Sequence, residues 1–102
     1  MARQINYPDL NARTRIREYV PIDVYWEYLI LWMLNNNDYC TWDELHKQSK
    51  ENHYIGVLRG LLTQKLNYLL KRDLIKKGKK NSYKITKRGK EILPKMETKG
   101  RD

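Results

Sequence analysis

The densest group of chemically active side chains lies in residues 75–93, which read IKKGKKNSYKITKRGKEIL. Eight of these nineteen positions are Lys or Arg, and Glu91 is the one acid among them. Ammonium and guanidinium groups at this density attract polyanions and donate charge-assisted hydrogen bonds to phosphate oxygens. Nucleic acid is therefore the first partner that the segment indicates, and an anionic membrane surface is the second. A basic composition that serves only solubility is the alternative.

The positive charge is concentrated in one part of the chain. Residues 71–90 carry a net charge of +9, which equals the net charge of the whole 102-residue chain. Residues 18–58 carry −5, and residues 1–17 hold four arginines against one aspartate. A chain polarised in this way orients a charged partner, whereas lysines that serve only solubility would be spread evenly.

Several other kinds of chemistry lack the residues that they need. Cys40 is the single cysteine, so the chain has no internal disulfide and no thiolate cluster. His46 and His53 lack further ligands at metal spacing, and the chain has no phosphate-cradling glycine loop and no nucleophile elbow. We therefore expect no enzyme, no catalytic residue, no metal, no cofactor and no small-molecule ligand. Cys40 is expected to pack inside, with an intermolecular disulfide left open.

Membrane and secretory segments are not indicated. The N-terminal residues lack the apolar region of a signal peptide. The longest apolar run, residues 24–34, has eleven residues and contains Glu27, and a spanning helix needs about twenty. We expect a soluble, cytoplasmic, nucleoid-associated protein without a membrane partner.

The elements that must position the basic segment begin with a helix in VYWEYLILWMLNNN, residues 24–37, with Asp23 as candidate N-cap and the run of asparagines as its end. This helix is apolar nearly all round, so it must be buried on more than one face. A surplus face predicts a homodimer interface. The alternative is that the N-terminal arm covers that face within one chain. The interface candidates are Ile30, Leu31 and Leu34, and the covering residues would be Ile5, Leu10, Ile16 and Val20.

Two further helices follow. Thr41 and Glu44 have the spacing of a capping box and predict a helix from Trp42 to Lys50. The third helix lies within LRGLLTQKLNYLLKRDLI, residues 58–75, and carries a stripe of leucines at 58, 62, 66 and 69. Its opposite face is polar and has no acid, as expected of a helix that reads base edges near phosphates. A plain solvated face is the alternative. The candidate recognition residues are Arg59, Thr63, Gln64, Asn67, Tyr68 and Lys71.

A basic hairpin comes next, with strands LIKKG and SYKIT and a tip at KKN. Tyr83 and Ile85 should face inward and Lys84 outward. Thr86 should cap a last helix, which Pro94 kinks or shortens. The side chains could bind phosphates or the minor groove, or only protect an edge strand from aggregation. The candidate contacts are Lys76, Lys77, Lys79, Lys80, Asn81, Lys84, Lys87 and Arg88.

Residues 24–93 resemble the winged helix-turn-helix of MarR- and PadR-like transcription regulators. The segment LTQKLNYLLKRDLIKKGKKNSYKITKRGKEIL is similar to their recognition helix and wing, most specifically at YKITKRGKEIL. The small size and the Lys/Tyr/Asn-rich composition are similar to archaeal or archaeal-virus members. Asp73 stands where the family usually has Gly, and the span from Glu44 to Thr63 is longer than usual.

The resemblance implies a mostly helical α+β fold with a three-helix core, a two-stranded basic wing and a C-terminal helix. It implies three regions: a basic arm at 1–20, a winged-helix domain at 21–97 and a frayed tail at 98–102. It also implies a homodimeric transcription regulator that binds specific double-stranded DNA. A winged helix that serves protein interaction or assembly in transcription or replication machinery is the alternative, and structured RNA is a third partner. Candidate minor-groove contacts of the arm, with a loose terminus as the equal alternative, are Arg13, Arg15 and Arg17.

Overall fold

The computed structural model describes residues 4–6, 25–51 and 59–96. The candidate N-cap Asp23, the connector at 52–58 and the tail at 98–102 lie outside these residues. So do the arm arginines and three of the four residues expected to cover the first helix, which are Arg13, Arg15, Arg17, Leu10, Ile16 and Val20.

The described part is mostly helical and contains a small antiparallel sheet. The helices are α1 (Tyr25–Asn35), α2 (Trp42–Glu51), α3 (Arg59–Lys71) and α4 (Lys87–Ile92), and a 3-10 helix covers Leu93–Met96. The strands are β1 (Cys40–Thr41), β2 (Ile75–Lys77) and β3 (Ser82–Ile85), in the order β1-β3-β2. The predicted order of helices and hairpin is confirmed, and the sheet has one strand more than the predicted wing.

The asparagines after α1 end the helix by hydrogen bonding. The Asn36 side-chain amide donates to the Trp32 carbonyl at 2.9 Å, and that of Asn37 donates to the Met33 carbonyl at 2.8 Å. The carbonyls of the last turn lack partners further along the helix, and the Asn37 bond supplies one to Met33. The Trp32 carbonyl also accepts from the Asn36 backbone N–H at 3.0 Å. The sequence prediction that the asparagines end this helix is confirmed.

The predicted capping box begins α2. The Thr41 backbone N–H donates to Glu44 Oε1 at 2.8 Å, and the Glu44 N–H donates to Thr41 Oγ1 at 3.2 Å. Thr41 also belongs to β1, where it pairs with Ser82, while Cys40 pairs with Tyr83. Cys40 is fully buried, as expected, and its thiol contacts the Met33 carbonyl at 3.8 Å. The start of α2 is therefore fixed to the sheet.

Helix α3 ends in a left-handed turn at Asp73, which has a φ of 61°. The Asp73 N–H donates to the Leu70 carbonyl at 3.1 Å, and the Leu74 N–H donates to the Leu69 carbonyl at 3.0 Å. These two bonds form a Schellman motif, whose left-handed position is usually Gly. Asp73 thus occupies the backbone geometry that a glycine would fill more easily, which explains the departure noted in the sequence.

The last helix is shortened as predicted from Pro94. The α-helix ends at Ile92, and the chain continues as 3-10 helix. At the other end, Thr86 Oγ1 accepts from the Gly89 N–H at 3.0 Å and donates to the Asp73 carbonyl at 2.6 Å. A Cβ at Gly89 would collide with the Leu74 carbonyl, so the close approach of α4 to the end of α3 requires glycine.

The apolar face that was assigned to a homodimer is buried within the chain. Ile30, Leu31 and Leu34 are 3%, 0% and 1% exposed. The prediction was wrong because α1 packs against α3, β3, α4 and the 3-10 helix, so more elements surround it than a three-helix core provides. Ile5 also packs against the core, as expected of a covering N-terminal segment.

Candidate nucleic-acid interface

Helix α3 presents a polar face to solvent because its leucines face the core. Leu62, Leu66 and Leu69 are all at most 2% exposed. The predicted recognition residues with described side chains are all exposed on the other sides of the helix: Thr63, Gln64, Asn67, Tyr68 and Lys71. Arg59 is the first residue of the helix, and its side chain is outside the described part.

No acid occurs anywhere in α3, since residues 59–71 read RGLLTQKLNYLLK. Lys65, on the flank of the helix, forms an ion pair with Glu27 of α1 at 3.2 Å. The outward face therefore carries amides, hydroxyls and Lys71 without a repelling carboxylate. Such a surface can approach phosphates and donate to or accept from base edges.

The hairpin after α3 holds its lysines outward. Strands β2 and β3 pair Ile75 with Ile85, Lys76 with Lys84 and Lys77 with Tyr83. The wing lysines are all exposed: Lys76, Lys77, Lys79, Lys80 and Lys84. Tyr83 is 7% exposed and faces inward as predicted, and burial raises the pKa of its phenol. The tyrosine hydroxyl consequently stays neutral at physiological pH and leaves the positive charge of the wing unchanged.

The tip of the hairpin is a tight turn with unusual backbone angles. Lys80 and Asn81 have φ values of 51° and 59°, and the Ser82 N–H donates to the Lys79 carbonyl at 3.1 Å. Positive φ at both central residues is typical of a type I′ turn, which favours Asn and Gly. Asn81 suits this position, whereas Lys80 adopts an angle that lysine rarely takes. The turn therefore holds an ammonium group at the tip at some conformational cost.

The wing is anchored to the helices behind it. The Trp42 N–H, at the start of α2, donates to the Asn81 carbonyl at 3.0 Å. Strand β1 pairs with β3 on the side opposite β2. Helix α3 packs against β2. The hairpin is thus held in place relative to both α2 and α3.

The comparison with protein families gives a match in this part of the chain. Residues 57–101 match the family model described as winged helix-turn-helix. Searches of curated proteins and of solved structures each gave no significant match. The match covers α3, the hairpin and α4, and it gives the general class, which is coarser than the MarR- and PadR-like resemblance. A winged helix-turn-helix indicates DNA binding.

The structure adds a residue to this candidate interface that the sequence reasoning missed. The Arg72 guanidinium carbon lies 4.8 Å from the centroid of the Tyr68 ring. Both side chains are exposed, Tyr68 to 43%. The four-residue spacing on one helix was the available signal, because such side chains meet on the helix surface. Arg72 therefore joins Tyr68 as an exposed residue of the candidate interface.

The remaining predicted contacts lie at the edges of the candidate interface. Lys87 and Arg88 are exposed in the first turn of α4, and Asn81 is exposed at the tip of the wing.

Within residues 4–6, 25–51 and 59–96, no group of three or more His, Cys, Asp or Glu side chains is arranged to hold a metal. Across the same residues, no helix combines the length and apolar character that a membrane span requires.

Proposed function

We propose that this protein binds specific sequences in double-stranded DNA and regulates transcription. Helix α3 enters the major groove, and the β2–β3 wing lies against the phosphate backbone or the minor groove beside it. The observation that carries the proposal is the acid-free polar face of α3, which the exposed lysines of the wing follow along the chain. A helix that only faces solvent would be expected to carry acids as well as bases at four-residue spacing.

The amides of α3 are suited to base recognition. Gln64 and Asn67 are both exposed, and each can form two hydrogen bonds with the N6 and N7 edge of an adenine. Thr63 can contact a thymine methyl group, and Lys71 can bind a guanine or a phosphate. These side chains are therefore the ones that we assign to sequence reading.

The wing supplies charge without base-specific geometry. An ammonium group is a compact point charge that binds phosphate oxygens from many directions. Lys80 supports a role in binding, because it keeps a charge at a turn position where Asn or Gly would fit with less strain. We assign the wing lysines to affinity rather than to specificity.

A selection from random duplex DNA tests the proposal. We expect one sequence motif to be enriched, and we expect affinity for it to fall steeply with salt. Two half-sites about one helical turn apart would indicate two copies of the chain on the DNA, whereas one half-site would indicate a monomer. The spacing of half-sites thus tests for a homodimer, whatever interface it uses. That interface is not the α1 face, which is buried within the chain.

A parallel measurement with structured RNA and with unrelated duplexes separates the alternatives. Equal affinity for every duplex would contradict the sequence-specific reading and leave general DNA binding. Tighter binding to structured RNA, or no binding to any nucleic acid, would contradict the proposal. The absence of binding to any nucleic acid would favour the interaction or assembly module. The exposed Leu61 and Tyr68 on the flank of α3 would then be its contact residues.

A further inference from the structure

A cleft of about 230 Å³ lies between α1, α3 and α4, on the flank of α3 away from its reading face. Its floor is apolar and is formed by Leu69, Leu74, Ile92 and Met96. Tyr68 forms one wall. Ligand sites are usually concave and apolar with a few placed polar groups, and those for drug-sized molecules occupy ~300–1,000 Å³. This α1–α3–α4 cleft has the character of such a site at the size of a small metabolite.

One polar group of the cleft is a carboxylate with one oxygen atom that accepts no hydrogen bond from the described residues. Glu27 is 8% exposed, and its Oε1 pairs with Lys65 at 3.2 Å. Its other oxygen, Oε2, is buried without a hydrogen-bond partner among the described residues. Buried polar atoms are almost always hydrogen-bonded, so an orphaned carboxylate oxygen beside a cleft points to a donor that the described residues do not supply.

Two guanidinium groups line the same cleft. Arg72 stacks on Tyr68, and within the part of the chain that the structure describes neither Arg72 nor Arg88 pairs with a carboxylate. Neither arginine reaches Glu27, whose one described cationic partner is Lys65. The cleft therefore holds opposite charges that face it from different elements and do not neutralise each other.

We propose that the α1–α3–α4 cleft binds a small zwitterion with an apolar body, of the chemical class of the aliphatic and aromatic amino acids. The ammonium group of the ligand donates to Glu27 Oε2. Its carboxylate accepts from Arg72 and Arg88, and its apolar side chain lies on the leucines, Ile92 and Met96. One molecule that carries both charges can pair with Glu27 Oε2 and with the two guanidinium groups of the cleft, which lack carboxylate partners among the described residues.

Calorimetric titration of the full chain without DNA tests this assignment, which does not rest on DNA binding. The probes are L-leucine, L-methionine and L-phenylalanine, each at millimolar concentration. Two analogues of leucine serve as controls: isopentylamine lacks the carboxylate, and 4-methylpentanoate lacks the ammonium group. At least one amino acid should bind with one-to-one stoichiometry, and for leucine both analogues should bind about tenfold or more weakly, the effect of one charge-assisted hydrogen bond.

Variants assign the binding to the cleft. Glu27→Gln should weaken amino-acid binding by about tenfold, and Arg88→Ala should do the same. The matched control is Glu91→Gln, because Glu91 is exposed on α4 and does not line the cleft. It should bind like the unchanged protein. Arg88 is exposed, so Arg88→Ala remains a folded test if the loss of the buried Glu27–Lys65 pair unfolds the first variant.

Three results would overturn the assignment. The first is that none of the three amino acids binds. The second is that the analogues with a single charge bind as tightly as the zwitterion. The third is that Arg88→Ala, and Glu27→Gln where it folds, leave the affinity unchanged, which would place the binding site elsewhere on the chain.

Discussion

Helices α1 and α3 pack against each other, yet they differ in how much of their surface is exposed to solvent. Six residues of α1 are at most 3% exposed, which are Tyr28, Leu29, Ile30, Leu31, Met33 and Leu34. Helix α3 buries one stripe of leucines and leaves a polar face open to solvent. The difference lies in what surrounds each helix, since α1 also packs against β3, α4 and the 3-10 helix. A helix at the centre of a small domain stabilises the fold, and one at its edge is free to bind.

The largest expected effect is on the stability of the fold, which should fall when α1 is substituted and change little when α3 is substituted. Leu31→Lys places an unpaired charge at a position that is fully buried, and it should destabilise the fold by about 4 kcal/mol or more. Asn67→Lys on α3 is the matched control and should change the free energy of unfolding by at most about 0.5 kcal/mol. Urea denaturation of both variants measures the difference. A stable, folded Leu31→Lys protein would show that α1 is not the centre of the core.

The next effect concerns affinity and salt dependence at the wing. Lys79→Ala combined with Lys80→Asn removes two charges, while Asn accepts the positive φ at position 80. Affinity for every duplex should fall roughly 10–100-fold near ~0.1 M salt, and the slope of log K against log salt should fall by about one to two units. Fluorescence anisotropy at several salt concentrations measures both. An unchanged slope would show that these lysines do not touch phosphates.

A smaller and more selective effect is expected on α3. Gln64→Ala or Asn67→Ala should reduce discrimination at particular base positions by ~1–3 kcal/mol. The salt slope should stay nearly the same, because no charge is removed. Binding to a set of single-base variants of the selected site measures this pattern. If affinity falls evenly across all sequences, these residues position the protein and do not read bases.

The smallest effect tests the turn that joins α3 to the wing. Asp73→Gly should stabilise the fold by about 1 kcal/mol, because Gly adopts the left-handed geometry without a steric penalty. Thermal unfolding should show a rise of ~4–8 °C for a domain of this size. Asp73→Asn is the control, since it removes the charge and keeps a side chain there. If Asn gives the whole gain, the carboxylate near the helix end is the cause rather than the backbone angle.

Much of the fold was predictable because local chemistry determines it. The capping box at Thr41 and Glu44, the leucine stripe of α3 and the Thr86 cap all depend on residues close in sequence. The same holds for the alternation of Tyr83, Lys84 and Ile85 in the wing. Each of these patterns predicts a contact within a few positions, and each contact is present.

The features that the sequence did not predict depend on residues distant in sequence. Strand β1 has two residues, too few to show alternation, and it exists because it pairs with β3 forty positions later. The homodimer face of α1 was misassigned because the sequence does not reveal how many elements surround a helix. The α1–α3–α4 cleft was not foreseen for the same reason, since Glu27 and Arg88 line one cleft only in the folded chain.

The division of α3 into a buried stripe and an open face has a consequence for how this protein can change over time. None of the exposed residues Thr63, Gln64 and Asn67 belongs to the core cluster. Substitutions there leave the packed interior untouched, so a lineage can acquire a new target without first losing its fold. The leucines one turn away have no such freedom. A single helix can therefore diverge rapidly on one side while it stays fixed on the other.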